Sequence, residues 1–535
     1  MTASESSANR RRRALLSCAA AAAVVAPLRG WAATERDKPP SFPIPARSPY
    51  VGVNLAGINY WTTAFPFADL VKNGNGWSSR DDRGTWGGSF PARPDGYPAA
   101  LQPGQRALLA AAWSGTRYPL GRYTVSWDGK GSIGFPLSRV SVRSAEAQRI
   151  VVDVTDNSGP LYVAIDETQA ADPVRNVRVL WPGTEPSPAA QPFNPAYLEK
   201  IAPFSLLRFM DWGGTNASPL VEWADRSRTT DLTYTTAKGV PVELMVDLAN
   251  LVRADPWFCV PHRASDDYVR QLATLLRTRL DPALRPHIEY SNEVWNLAFA
   301  QAQWAGAQSD RLGLARPSGF PSLFYAQRSV AIFKIFAEVY GADRGRLVRV
   351  IAGQSVWTQF QESALAWRDT AAHADVLAIA PYFQAEAAGD PKNVEATLGM
   401  TSEQLHDQML AHVRGKCAAG MRANAALARK HGLELKGYEG GAHDSSSHFP
   451  AARQDAMAGL FAAAHRHPRM REVYTEYLAL WIASGGGLLA HYNDIGLWSK
   501  YGEWGALEYV TQDPAEAPKY RALLDVIARH PRRPT

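Results

Sequence analysis

Apolar positions follow two alternating patterns along most of this chain. From Phe193 onward, short apolar runs alternate with stretches whose apolar residues recur every three or four positions. The first pattern is typical of strands buried in a parallel sheet, and the second of helices packed on that sheet. Seven strands are predicted, in the segments FSLLRFMDW, VPVELMVDL, PHIEYSNE, LVRVIAGQ, ADVLAIAPYF, LELKGYEGG and GLLAHYND.

An eighth strand precedes this region, in the apolar run YVGVNLAGI that begins at Tyr50. Eight strands alternating with helices are the number that closes a (β/α)8 TIM barrel. The alternative is an open, doubly wound sheet, but no glycine-rich phosphate loop follows the first strand. We therefore predict an α/β barrel, and the missing loop also argues against a nucleotide or NAD cofactor.

A different pattern separates the first strand from the other seven. This region is rich in Gly, Pro and Trp, and it contains alternating segments such as RYTVSWDGKGSIGF and RIVVDVTD, divided by turns such as Asp128-Gly129. Short strands between turns are typical of an antiparallel sandwich. We predict a β-sandwich-like domain inserted after the first barrel strand. The predicted organisation is a Pro-rich leader at 34–48, the first strand and helix of the barrel at 49–80, the inserted domain at 81–185 and the remainder of the barrel at 193–535.

The N-terminus has the pattern of an export signal. Four consecutive arginines precede an apolar stretch from Ala14 to about Leu28, and small residues follow near Ala33. We expect residues 1–33 to be removed as a signal peptide, which leaves a periplasmic or secreted protein without a membrane span. The arginines are compatible with the twin-arginine route and with a general secretion signal. The alternative is an uncleaved anchor, although the apolar stretch is short for a membrane-spanning helix.

The net charge and the placement of the histidines argue against nucleic acid and metal ions as ligands, and the two later cysteines leave two alternatives. The formal net charge is +6, of which the five Arg and one Glu in residues 1–33 supply +4. No concentrated basic stripe remains, so nucleic acid is not an expected partner. The histidines lack the spacing of a metal site, so we expect neither a metal nor another cofactor. We expect the protein to be a monomer. Cys259 and Cys417 either pair in an oxidising compartment or remain free thiols.

Two glutamates end predicted strands on opposite sides of the barrel. Strand four ends in EYSNEVWN and strand seven in GYEGG, which places Glu293 and Glu439 at carboxyl ends, where barrel active sites lie. Asn292 and Glu293 also suit an ordinary helix start, and we expect a helix from Val294. Two carboxyl groups roughly 5 Å apart are what retaining glycoside hydrolysis requires.

This arrangement resembles clan A of the glycoside hydrolases, the retaining (β/α)8-barrel enzymes that include cellulase-like and mannanase-like families. The resemblance covers Tyr50 to about His530 without the inserted domain. It implies that Glu293 is the acid/base, that Asn292 binds the sugar 2-hydroxyl, and that Glu439 is the nucleophile.

The resemblance extends to further residues. It implies that Arg208, which ends strand two, holds the nucleophile ionised, and that Tyr382, which ends strand six, hydrogen-bonds it. Ala380 stands where many clan members have a histidine, so no well-known family within the clan is indicated. His262 follows strand three and is a substrate-binding candidate. Tryptophans after strand ends can stack on sugars or belong to the core, and the candidates are Trp212, Trp295 and Trp498.

The sequence therefore predicts an exported retaining glycoside hydrolase that cleaves a β-linked polysaccharide or oligosaccharide by double displacement. A transglycosylase would use the same covalent intermediate. A carbohydrate-binding or structural protein of the cell envelope, without catalysis, is the other alternative. The inserted domain is either a packing platform or a binding module acting through Trp113 or Trp127.

Export has a direct test in the mass of the mature protein. We expect protein recovered from the periplasm or medium of an expressing bacterium to lack residues 1–33, because the apolar stretch and small residues form a cleavage signal. Intact-mass spectrometry measures this. A protein that keeps those residues and sediments with membranes would instead be anchored.

Overall fold

The computed structural model describes residues 47–185 and 191–531. The predicted signal peptide, 1–33, and nearly all of the Pro-rich leader lie outside the described residues. Within the described ranges, no helix combines the length and apolar character needed to cross a membrane.

The described ranges contain sixteen strands and twelve α-helices. The strands are β1 Val51–Asn54, β2 Ser78–Asp81, β3 Gln105–Ala112, β4 Gly121–Asp128, β5 Gly131–Gly134, β6 Val140–Glu146, β7 Arg149–Val154, β8 Leu161–Thr168, β9 Arg175–Leu180, β10 Leu206–Arg208, β11 Asp255–Val260, β12 His287–Tyr290, β13 Val348–Ala352, β14 Val376–Ile379, β15 Glu434–Gly437 and β16 Gly486–His491. The helices are α1 Pro195–Ile201, α2 Val242–Val252, α3 Asp266–Arg279, α4 Ala300–Arg311, α5 Ser322–Tyr340, α6 Gln359–Leu365, α7 Val394–Leu398, α8 Ser402–His412, α9 Ala418–Lys430, α10 Gln454–Arg466, α11 Met470–Ala483 and α12 Pro518–Arg529.

Eight parallel strands form a closed barrel. They are β1 and β10 to β16, in chain order around the barrel, and β1 closes it by pairing with both β10 and β16. This confirms the predicted (β/α)8 TIM barrel. Because all eight strands are parallel, their carboxyl ends surround one mouth, and the register there sets Asn54 beside Arg208.

The inserted β domain consists of two four-stranded antiparallel sheets, ordered β2-β3-β8-β5 and β6-β7-β4-β9. All eight strands lie between β1 and β10 in the chain, and the first of them, β2, begins three residues before the predicted start of the domain at 81. Leu109 and Val163 from one sheet and Tyr123 and Val152 from the other are buried in one apolar cluster. Trp127 is buried in that cluster too, so it is a core residue and not an exposed binding residue.

One predicted strand is wrong. The segment VPVELMVDL forms most of helix α2, and the third barrel strand is β11, Asp255–Val260. Val242, Val246 and Ala249 recur at a helical spacing and are buried on one side of α2. The strand count stayed correct because β11, with its apolar run, follows directly.

The segment after β12 also differs from the prediction. A helix was expected from Val294, but α4 begins at Ala300. Residues 294–299 form two turns instead of the start of a helix. Just before them, Ser291 and Glu293 adopt left-handed backbone angles, with φ of 60° and 45°, which lie outside the range of a right-handed helix.

The two cysteines among the described residues do not pair. Cys259 and Cys417 are both buried free thiols. The Cys259 thiol lies 3.3 Å from a carboxylate oxygen of Glu289, whereas the Cys417 thiol lies 3.4 Å from the carbonyl oxygen of Pro381.

Candidate active site

The side chain of Arg208 lies at the centre of the barrel mouth. It ends β10, is fully buried, and donates to groups carried by three other strand ends. One terminal nitrogen donates to Glu439 at 2.7 Å and to Asn54 at 3.0 Å. The other donates to Glu289 and to Asn292, each at 2.9 Å. The guanidinium therefore links the ends of β1, β10, β12 and β15.

Glu439 follows β15 and is bound on both carboxylate oxygens. Arg208 donates to Oε1 and the Tyr382 hydroxyl donates to Oε2 at 2.9 Å. Burial raises the pKa of Glu439 above its ordinary value, while the Arg208 charge and the two hydrogen bonds oppose that shift. This carboxylate thus has a cationic partner and a hydroxyl donor.

Glu293 follows β12 and has only uncharged hydrogen-bond partners among the described residues. The Tyr438 hydroxyl donates to Oε1 at 3.1 Å, and the Asn296 amide donates to Oε2 at 3.2 Å. The Trp295 indole donates to the Tyr438 oxygen at 3.2 Å and so orients that donor. Burial, followed by the charge of Glu439, raises the pKa of Glu293 to about 7.

Asn292 is held from both sides of its amide. Its oxygen accepts from Arg208, and its nitrogen donates to the side-chain oxygen of Asn216 at 3.1 Å. Gln301 donates to the same Asn216 oxygen at 2.6 Å and to the Asn292 carbonyl at 2.9 Å. These bonds hold the loop in which Ser291 and Glu293 adopt their left-handed angles. Strained backbone of this kind is common at functional sites.

Glu289 and Asn54 belong to this network but were not predicted. Glu289 is fully buried on β12, and its Oε2 accepts from Arg208, from the Trp257 indole at 2.8 Å and from the Cys259 thiol. The sequence did carry a signal, because a carboxylate inside a buried strand requires a partner. No comparable signal marks Asn54, whose partner Arg208 lies 154 positions away.

Asp211 and Tyr492 add a second polar pair that was not predicted. The Tyr492 hydroxyl donates to the Asp211 carboxylate at 3.0 Å. Burial, followed by the charge of Glu439, raises the pKa of Asp211 to about 6. The Tyr382 ring contacts the Tyr492 ring edge to face, with centroids 6.4 Å apart. This contact connects the pair to the partners of Glu439.

The structure brings together six of the nine predicted site residues: Glu293, Glu439, Asn292, Arg208, Tyr382 and Trp295. No contact of the remaining three, among the described residues, reaches either glutamate. Trp212 is 1% exposed and donates to the carbonyl of Ala56, so it is a core residue.

His262 and Trp498 also contact residues other than the two glutamates. His262 is buried edge to face against Trp304, and burial lowers its pKa to about 4. Trp498 lies beneath the cations of Arg466 and Lys519. Position after a strand end was therefore insufficient to identify rim residues, because a loop can turn its side chains back into the core.

Comparison with known proteins yields likenesses of fold. No family model matches the chain, and no curated protein matches it. Xylanase 10B from Thermotoga petrophila RKU-1, solved with xylobiose, is 11% identical over 62% of this chain and 88% of its own, with a TM-score of 0.33. The CBM22-1–GH10 modules of Clostridium thermocellum xylanase 10B, solved with xylohexaose, are 10% identical over 88% and 97%, with a TM-score of 0.35.

A family 26 endo-β-1,4-mannanase from Cellulomonas fimi is 13% identical over 60% of this chain and 62% of its own, with a TM-score of 0.32. The closed eight-stranded barrel agrees with the predicted resemblance to clan A.

Removal of the Arg208 charge tests how far the mouth depends on it. We expect Arg208→Met to lower the free energy of unfolding by about 3–5 kcal/mol, because buried carboxylates would lose their cation. Urea-induced unfolding of the full chain measures this. As a matched control, Arg279→Met removes an exposed arginine paired with Asp247 and should cost at most about 1 kcal/mol. Equal losses in the two variants would contradict the prediction.

Proposed function

We propose that this protein is an exported retaining glycoside hydrolase that cleaves a β-linked glycan by double displacement. In this proposal Glu439 is the nucleophile and Glu293 is the acid/base. The observation that carries it is the difference between their surroundings: Glu439 contacts a buried guanidinium, whereas Glu293 accepts hydrogen bonds from the neutral Tyr438 hydroxyl and Asn296 amide. Such a difference makes Glu439 the easier of the two to ionise and favours retention of the proton on Glu293.

The first step forms a covalent intermediate. A carboxylate oxygen of Glu439 attacks the anomeric carbon, and the bond from that carbon to the glycosidic oxygen breaks. Glu293 gives its proton to the departing oxygen. A pKa of about 7 keeps a large share of Glu293 protonated near neutral pH, as a general acid requires.

The second step releases the sugar. Glu293, now a carboxylate, takes a proton from water, and the water oxygen attacks the anomeric carbon as its ester bond to Glu439 breaks. Replacement of water by a sugar hydroxyl gives the transglycosylase alternative. Arg208 and Tyr382 favour cleavage of the ester in either case, since they bind the carboxylate that Glu439 becomes when the sugar is released.

Neighbouring groups suit a sugar substrate. We assign Asn292 to the sugar 2-hydroxyl, because its amide is held in one orientation by Asn216 and by Arg208, the residue that also binds Glu439. The Trp295 ring is partly exposed near Glu293 and offers a stacking face. Asp211 and Tyr492 are additional hydrogen-bonding candidates for substrate hydroxyls. A purely carbohydrate-binding protein would not need the two glutamates to differ in ionisation, so catalysis is the better-supported function.

Replacement of each glutamate should separate the two roles. We expect Glu439→Gln to lower kcat on β-glucan, xylan or mannan by at least about 10³-fold, because no ester can form. Glu293→Gln should cost about 10²–10⁴-fold on a glycan, which needs acid assistance to depart. Aryl β-glycosides with acidic leaving groups should be affected much less in the first step.

An exposed glutamate, Glu338, provides the matched control, and Glu338→Gln should retain full activity. Product anomers observed by NMR should keep the β configuration in the wild type. Normal turnover by the folded Glu439→Gln variant, or inverted products, would exclude the double displacement.

The pH dependence should report the proton on Glu293. That group must be protonated for the first step, and its pKa is about 7, so kcat/KM on a glycan should fall as the pH rises past about 7. The Glu293→Gln variant cannot lose this proton, so its residual rate should not show the alkaline fall. Identical alkaline limbs in the two proteins would assign the titration to another group.

A further inference from the structure

A row of five aromatic rings runs from the barrel onto the inserted domain. Trp61, on the loop after β1, contacts Tyr60 with ring centroids 4.6 Å apart, and Tyr60 contacts Trp113 at 5.4 Å. Trp113 contacts Tyr162 at 6.2 Å, and Tyr162 contacts Trp86 at 5.7 Å. We call these five residues the aromatic stripe.

The three tryptophans of the stripe are exposed, although large rings are usually buried. Trp61, Trp113 and Trp86 are 47%, 38% and 45% exposed. Tyr162 and Tyr60 lie between them; Tyr162 is buried in a small apolar cluster separate from the main core, and Tyr60 is partly buried against it. Contiguous exposed apolar residues of this kind mark binding surfaces, whereas singly scattered ones do not.

The cluster beneath the stripe identifies which face of the domain carries it. Leu108, Ala110 and Ala164 form the rest of that cluster, on β3 and β8. Their neighbours Leu109 and Val163 belong to the main core instead. Because side chains alternate along a strand, the stripe covers the outer face of the β2-β3-β8-β5 sheet.

A groove lies at the far end of the stripe. Its volume is ≈ 510 Å³, within the range of small-ligand sites. Trp86 forms part of its wall, together with the exposed residues Ser78 and Ser89 and the backbone of Gly87 and Gly88. The Arg80 guanidinium lies 5.7 Å from the Trp86 ring centroid. Hydroxyl, amide and guanidinium groups thus surround an exposed ring.

The near end of the stripe follows shortly after a residue of the candidate active site in the chain. Asn54 ends β1 and accepts a hydrogen bond from Arg208, which also binds Glu439. Tyr60 follows Asn54 by six residues, which can span at most about 20 Å when fully extended. The stripe therefore begins at a distance from the mouth that a few linked sugar rings can bridge.

We propose that the aromatic stripe and its groove form a glycan-binding platform that holds the substrate chain outside the barrel mouth. The inference rests on the proposed function, because it takes the occupant to be the β-linked glycan cleaved there. The C–H faces of the pyranose rings stack on Trp61, Trp113 and Trp86. Sugar hydroxyls bond to Ser78, Ser89 and groove amides. A glycan presents apolar faces and hydroxyls in succession, and this surface offers rings and hydroxyl groups in the same succession.

The test compares a polymeric with a small substrate. The full chain carrying Trp61→Ala, Trp86→Ala and Trp113→Ala is assayed on soluble xylan, glucomannan and mixed-linkage β-glucan, and on aryl β-glycosides of the same sugars. We expect kcat/KM on the preferred polymer to fall at least about tenfold and that on the aryl glycoside to change by less than about twofold. The control variant Leu120→Ala, Leu137→Ala and Val142→Ala removes exposed apolar residues of the same domain outside the stripe and should change neither value.

Other outcomes overturn the platform in distinguishable ways. Unchanged polymer kinetics would remove the platform and leave the glycosidase proposal intact. Equal losses on both substrates would show a structural effect on the barrel. A shift in oligomeric state on gel filtration, caused by the triple Trp variant, would make the stripe a contact between copies of the chain.

Binding provides a readout that does not need turnover. If the wild type cleaves none of these glycans, the proposed function fails, and the platform is then decided by migration in native gels containing each polysaccharide. Retardation of the wild type that the triple Trp variant loses supports the platform. Absence of retardation overturns it.

Discussion

The buried guanidinium of Arg208 is the interaction on which the rest of the mouth depends. A cation removed from water must be surrounded by acceptors, and here they come from residues in or just after three other barrel strands. Asn54, Glu289, Asn292 and Glu439 are each positioned by this demand. The barrel supplies the geometry, because parallel strands direct all their carboxyl ends to one mouth. Arg208 turns that geometry into a connected set of side chains.

The same cation creates the difference between the two glutamates. Glu439 binds it directly, so the cost of burying the carboxylate is partly offset. Glu293 accepts from a hydroxyl and an amide, and it also faces the charge of Glu439, which makes its own ionisation less favourable. Two identical side chains thus differ in ionisation because of what surrounds them. The loop that holds Glu293 includes two left-handed residues, a strain that the Asn216 and Gln301 hydrogen bonds offset.

The inserted domain extends the barrel on the side where chemistry is expected. It leaves the chain after β1 at the carboxyl ends of the strands, where barrel enzymes vary their substrate-binding loops. The barrel tolerates the insertion because β1 and β10 still pair directly. One sheet of the domain adds its inner face to the main core, and its outer face carries the aromatic stripe. Strands β3 and β8 therefore contribute side chains to the main core from one face and support the aromatic stripe on the other.

The sequence alone determined the number of barrel strands and the position of two glutamates, Glu293 and Glu439, at the carboxyl ends of those strands. Buried parallel strands appear as apolar runs, and barrel order then set Glu293 and Glu439 at one mouth. The prediction tolerated one misplaced strand, since α2 was read as a strand and β11 took its place in the count. Tertiary structure alone decided which rings are core, as with Trp212, and which groups surround Arg208. Those outcomes depend on burial and on contacts between residues far apart in the chain. Local patterns of polarity predict neither the burial of a given ring nor such long-range contacts.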